Sequence, residues 1–129
     1  MDKQMLPHDL QTILEGTSKE DMALEHGDPS RIFAKLNNCV VGAVRFSAMP
    51  PWERHPDGDE LVHVIEGELD VILLAPEGRV EVKVPAGSVF IVPRGMWHRS
   101  RPRGVVSMLF ATPTKGGEFS FAEEPMRAA

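Results

Sequence analysis

Between Arg31 and Ala111 the chain sustains no helical period; it breaks into short runs of β-branched and aromatic residues divided by turn residues. Residues 31–36 end at Asn37-Asn38, a pair that tolerates positive φ. Residues 39–48 form the next run, and Pro50-Pro51 stops it because proline has no N–H to give a ladder. Residues 61–65 and 68–74 flank Glu66-Gly67, which reads as a hairpin turn. After a turn at Pro76-Glu77-Gly78, residues 80–84 alternate valine with charge, the pattern of a strand with one dry and one wet face. Residues 89–92 read as a fully buried run, and 105–111 close the series. Some seven or eight short strands without a βαβ unit predict an all-β sandwich or barrel.

The flanks are less patterned. Leu6, Leu10, Ile13 and Leu14 lie three or four apart, which predicts a short amphipathic helix ending at Gly16. A second turn of helix is expected within residues 18–24, with Ser18 as its N-cap. The expected layout is an N-terminal arm (1–30) against a barrel (31–112), followed by a polar tail (113–129). The 129 residues suit one domain. With 14 basic against 19 acidic residues and no basic run, neither nucleic acid nor an anionic membrane is expected as partner. No apolar stretch approaches the roughly 20 residues of a membrane span. One cysteine, Cys39, and a start without an apolar leader segment suit the cytoplasm. Cys39 lies in an apolar run and reads as a structural thiol.

Chemistry concentrates in residues 52–67, where Glu53, His55, Asp57, Asp59, Glu60 and His63 crowd a polar loop that leads into an apolar strand. Imidazoles and carboxylates projecting from the rim of a rigid sheet are the material of a metal site. Another histidine, His98, follows Gly87, Pro93 and Gly95. Asp57-Gly58 reads as a turn, and Glu66, Glu68 and Asp70 as a solvated charge run. Gly67, Gly87 and Gly95 are expected at positive φ. No phosphate-cradling glycine pattern and no nucleophile elbow is present.

These two stretches resemble the paired motifs of the cupin family. The first motif, His-x-His-x(3,4)-Glu-x(6)-Gly, fits His55, Glu60 and Gly67, with Glu53 where the first histidine would stand. The second, Gly-x(5)-Pro-x-Gly-x(2)-His-x(3)-Asn, fits Gly87, Pro93, Gly95 and His98, with Pro102 in place of the asparagine. The resemblance spans about residues 40–112 and implies a double-stranded β-helix, the jelly-roll barrel of cupins. It also implies one divalent metal ion (Fe, Mn, Ni or Zn) held by His55, Glu60 and His98. Glu53 is either a fourth metal ligand, hardening the site toward Mn(II) or Fe(II), or a catalytic base beside the metal; a third role is a hydrogen bond to a ligand imidazole or an ion pair with Arg54 or Arg94.

Strand parity refines the site. If Glu60 points inward, so do Val62 and Val64, and His63 points away. His98 and Ser100 then face inward, Trp97 and Arg99 outward. An outward Trp97 calls for cover, from the N-terminal arm or from a second copy, and a homodimer is the expectation. Val62, Val64, Phe90, Met108 and Phe110 are candidate cavity lining for a small, partly hydrophobic substrate. The chain has no tyrosine, which counts against cupin epimerases and lyases that use a phenolic acid or base. The expectation is a metal-dependent enzyme of dioxygenase or isomerase type acting on a small organic acid or diketone. The alternative is a non-catalytic binding or sensing cupin whose metal is structural.

Overall fold

The computed structural model describes residues 5–17 and 30–125. Helix α1 (Leu10–Thr17) precedes strands β1 (Arg31–Leu36), β2 (Cys39–Phe46), β3 (Trp52–Arg54), β4 (Glu60–Ala75), β5 (Gly78–Pro85), β6 (Val89–Val92), β7 (His98–Pro113) and β8 (Glu118–Ser120). The expected turn capped by Ser18 lies outside the described residues. Asp9 caps α1, its Oδ1 accepting the backbone N–H of Gln11 at 3.1 Å. Leu14 is buried, and Thr17 Oγ1 accepts the backbone N–H of Arg45 at 3.0 Å, which fastens the helix to β2. Leu6 precedes the helix and is exposed, so it is not part of the buried stripe. No described helix is long and apolar enough to cross a membrane.

Strands β4 and β7 form one long antiparallel ribbon from Leu61↔Ala111 to Leu73↔His98. The first half of β4 also pairs with β6, the second half with β5, and β7 continues the sheet through β2 to β1. Short β3 joins β7 at Glu53↔His98 and carries β8 on its other edge. This is an all-β barrel of the kind the turn pattern predicts, and the jelly roll that the cupin resemblance implies.

The ribbon corrects the hairpin expected at Glu66-Gly67. The strand does not turn back there; it runs on through register shifts between Val64 and Glu68. Gly67 sits at φ 86°, and a Cβ at that position would strike the carbonyl oxygen of Val105. A glycine beside a turn-like charged residue looks the same in sequence whether it closes a hairpin or bends a strand. The consequence is a switch of parity. Before the bend Val62 and Val64 face the main core; beyond it Leu69, Val71 and Leu73 do. The intervening side chains beyond the bend, Ile72 and Leu74, turn the other way and pack with Trp52 and Trp97 in a second apolar cluster.

That second cluster also corrects the reasoning about Trp97. The indole does face away from the main core, but it is only 9 % exposed, covered by Trp52, Ile72 and Leu74 and by the Arg54 guanidinium 4.7 Å from its ring centre. Among the described residues the cover comes from the barrel itself. Asp70 departs from the expected solvated charge run; it lies on the same face of β4 as Ile72 and Leu74. It is buried, with Oδ2 accepting Arg101 at 3.1 Å and Arg103 at 2.9 Å. Residues 89–92 are not buried throughout: Val89 and Ile91 are exposed while Val92 is in the core. Two short strands went unread, β3 inside the polar loop and β8 in the tail, and β7 begins at His98. Each has too few residues, or too polar a start, to show a period of its own.

Candidate metal centre

Four side chains meet at the mouth-side end of the barrel: Glu53 on β3, His55 just after it, Glu60 at the start of β4 and His98 at the start of β7. Alternation along β3 sends Trp52 into the second apolar cluster and Glu53 inward. The antiparallel register then sets Glu53 directly beside His98. The loop after β3 is held by its own backbone. The His55 carbonyl accepts the N–H of Gly95 at 3.0 Å, and Asp59 Oδ1 accepts the N–H of Arg94 at 2.8 Å. Arg94 Nε in turn donates to the Pro56 carbonyl at 2.7 Å. The two motif-bearing loops are thereby locked together, and Arg94 is committed to the loop, not to Glu53. Arg54 pairs with Glu118 on β8 at 3.0 Å, so neither arginine neutralises Glu53.

One ligand atom from each residue lies within 4.8 Å of all the others. His98 Nε2 is 3.1 Å from both Glu53 Oε1 and Glu60 Oε1. His55 Nε2 is 3.4 Å from Glu53 Oε1 and from Glu60 Oε2. Adjacent ligands at metal bonds of about 2.0–2.2 Å sit about 3.0–3.5 Å apart, so these spacings fit a single divalent ion. The outer contacts aim the donors. His98 Nδ1 donates to the Met96 carbonyl at 3.2 Å, which turns Nε2 to the centre, and the Thr112 hydroxyl donates to Glu60 Oε2.

The charges of the four groups depend on one another. Burial works against a charged Glu60, but hydrogen bonds from His55 and His98 outweigh it and hold the carboxyl down at about 2. Glu53 is lowered by the same balance. Burial likewise opposes charge on the imidazoles, yet the two carboxylates raise His55 to about 9 and His98 to about 10. A centre built from two ionised carboxylates thus demands positive charge, supplied by protons or by a metal cation that displaces them.

His63 stands apart from this group, as parity required: it points outward and is not among the converging donors. Asp57 and Asp59 are loop residues, outside the donor group. Beside the four donors opens a cavity of about 200 Å³. Met108 and Phe110 line it as expected, whereas Val62, Val64 and Phe90 belong to the packed core. Sequence reasoning missed most of the lining, Thr112, Phe46 and Phe119 among it. Thr112 was within reach, since it shares inward parity with Met108 and Phe110 on β7. Phe46, at the end of β2, was readable as apolar but not as lining. Phe119 on β8 gave no signal, because its place depends on pairing with Glu53 across more than sixty residues of chain.

The Cupin domain family matches residues 44–112, which hold all four donors. Germin-like protein subfamily 2 member 4 from Arabidopsis thaliana is 34 % identical over 85 residues, 57 % of this chain and 39 % of that protein. An uncharacterised Bacillus subtilis protein, YdbB, is 38 % identical over 68 residues, 53 % of this chain and 58 % of its own length. The chain thus spans well under two thirds of either relative. Among solved structures, Neisseria meningitidis NMB1881 superposes with a TM-score of 0.66 at 16 % identity, over 84 % of this chain and all of that one. Hydroquinone 1,2-dioxygenase from Sphingomonas sp. TTNP3 superposes with a TM-score of 0.58 at 20 % identity, over 67 % of this chain and 66 % of that one. At these identities the likeness is one of fold.

Proposed function

Since the chain belongs to the cupin domain family, we propose that it is a metal-dependent enzyme of dioxygenase or isomerase type acting on a small organic acid or diketone. The observation that carries this reading is the convergence of His55, Glu60, His98 and Glu53 beside a largely apolar cavity. A donor set of two imidazoles and two carboxylates suits Fe(II) or Mn(II) better than Cu(II). When bound, such an ion would supply Lewis acidity toward substrate oxygens.

The chain's own residues divide the remaining work. Met96 and Thr112 fix the orientation of His98 and Glu60. Phe46, Met108 and Phe110 exclude water from the side where a substrate lies. Glu53 is the most exposed of the four, its side chain 32 % accessible against 6 % or less for the others. It is therefore the donor that a substrate meets, and it serves as the fourth ligand. Solved proteins of the same fold include a hydroquinone dioxygenase and a hydroxypropylphosphonic acid epoxidase, which supports an oxidative reaction over an isomerisation. The proposal includes a cytoplasmic setting, in keeping with the single Cys39. It also includes a homodimer, resting no longer on Trp97 but on exposed Val89 and Ile91 beside Leu61 on the outer sheet face.

The test is metal analysis of protein purified without a histidine tag, followed by oxygen-uptake and product assays with Fe(II)- and Mn(II)-loaded protein against small carboxylic acids and 1,3-diketones. Metal uptake with turnover supports the enzyme reading. Metal uptake with ligand binding and no turnover supports a binding module in its place.

A further inference from the structure

We propose that the cavity selects a compact ligand with one oxygen-donor end and one uncharged apolar body of about a single ring, and that Phe119 is the residue that grips the body at the mouth. The inference rests on the metal-centre reading above and adds the ligand class. Three observations carry it. The first is size: about 200 Å³ is little more than the roughly 150 Å³ cavity that accommodates benzene in another protein, and well below a drug-sized pocket.

The second is charge. The lining has carboxylate and imidazole at one end and Phe46, Met108, Phe110 and Phe119 elsewhere, with no lysine or arginine on any wall among the described residues. The arginines nearest in sequence are engaged outside the cavity: Arg54 with Glu118, Arg94 with Asp59 and Pro56, Arg99 with the Pro50 carbonyl. A ligand carrying a second carboxylate at its far end would bury that charge without a partner. Ser100, two residues after His98, offers a wall hydroxyl, enough for a neutral polar substituent but not for an anion.

The third is the position of Phe119. Its ring is 60 % exposed although it lines the cavity, and its backbone pairs with Glu53. The chain reaches it by way of Gly117, which runs beside the His55 ring: an added Cβ would make ordinary contact with Nδ1 at 3.6 Å. β8 therefore places an uncovered aromatic ring at the rim, in register with a candidate ligand, where a bound ring would cover it.

The experiment is calorimetric titration of Zn(II)- or Mn(II)-loaded protein with acetate, benzoate and terephthalate, which share the donor end and differ in the body. Benzoate is expected to bind at least 10-fold more tightly than acetate and at least 10-fold more tightly than terephthalate. Phe119→Ala should cut the benzoate-to-acetate ratio several-fold while leaving metal content and acetate affinity unchanged; the residue is exposed, so the variant folds. Equal affinity for benzoate and terephthalate, or an unchanged ratio in the variant, overturns this inference and leaves the metal-centre reading standing. Failure to take up metal overturns that reading and this inference with it.

Discussion

Glu53 is the residue on which the chemistry of this cupin turns. It replaces a family histidine, yet it reaches both imidazoles, at 3.1 Å from His98 and 3.4 Å from His55. As a ligand it leaves a site of two carboxylates and two imidazoles nearly neutral around a divalent ion. Glu53→Gln is then expected to weaken metal affinity by about 10- to 100-fold, read by competition with a chelating dye; undiminished affinity would assign Glu53 to another role. Glu53→His should shift preference toward Zn(II) or Cu(II). Protons compete for the same place. His55 and His98 stay protonated to about 9 and 10, so metal affinity should rise steeply as pH climbs from 6 toward 9. The sign for the metal-free chain is opposite. Raised imidazole pKa values mean that these pairs stabilise the fold fully below about 6.5 and that the contribution is lost as pH passes 9 to 10. A melting curve flat from pH 6 to 10 would contradict it. His55, Glu60 and His98 were legible through the resemblance to the paired cupin motifs, whose pattern they fit; the residues taken singly read only as a polar loop and a distant histidine. Thr112 was legible only by extending parity along β7, and Phe119 not at all.

At the scale of elements, the bent β4–β7 ribbon decides which side chains face which core. Strand parity served as far as Val64 and failed beyond it, because one bend at Gly67 reverses every later residue of β4. Asp70 read as solvated for a different reason, its place in a run of charges, and proved buried because Arg101 and Arg103 pair with it. Gly67→Ala should destabilise the fold by about 1–3 kcal/mol or more, since the new Cβ meets the Val105 carbonyl at a positive φ. Denaturant unfolding is the check, and a change under half of that range would mean the bend relaxes. Asp70 makes a second test. Burial raises its carboxyl pKa, but Arg101 and Arg103 outweigh that and hold it below the usual carboxylate range. Its contribution is therefore present above about pH 4 and lost as pH falls through the lowered value. Asp70→Asn should cost about 1.5–3 kcal/mol near neutral pH, and the difference from the parent should vanish in acid. A difference that persists there would assign the loss to packing.

For the whole molecule, the strand count and the turn pattern announced a barrel, and the family motifs narrowed it to a cupin. The sequence-level reason for a dimer was mistaken in detail, since the barrel itself shelters Trp97 in a second apolar cluster invisible to local pattern. Among the apolar side chains that the fold leaves bare are Val89 and Ile91, paired with His63 and Leu61 on the outer face. Light scattering at micromolar concentration is expected to report twice the 14.3 kDa chain mass, and Val89→Glu/Ile91→Glu to restore one. A monomeric parent would rule the face out as an interface. All of the chemistry above hangs on one claim, that this barrel holds a divalent metal through His55, Glu60 and His98 with Glu53 as the fourth donor. Elemental analysis of untagged protein, side by side with His55→Ala/His98→Ala, tests it most directly. The account predicts about one ion per chain in the parent and next to none in the double variant; full occupancy in the double variant would contradict it.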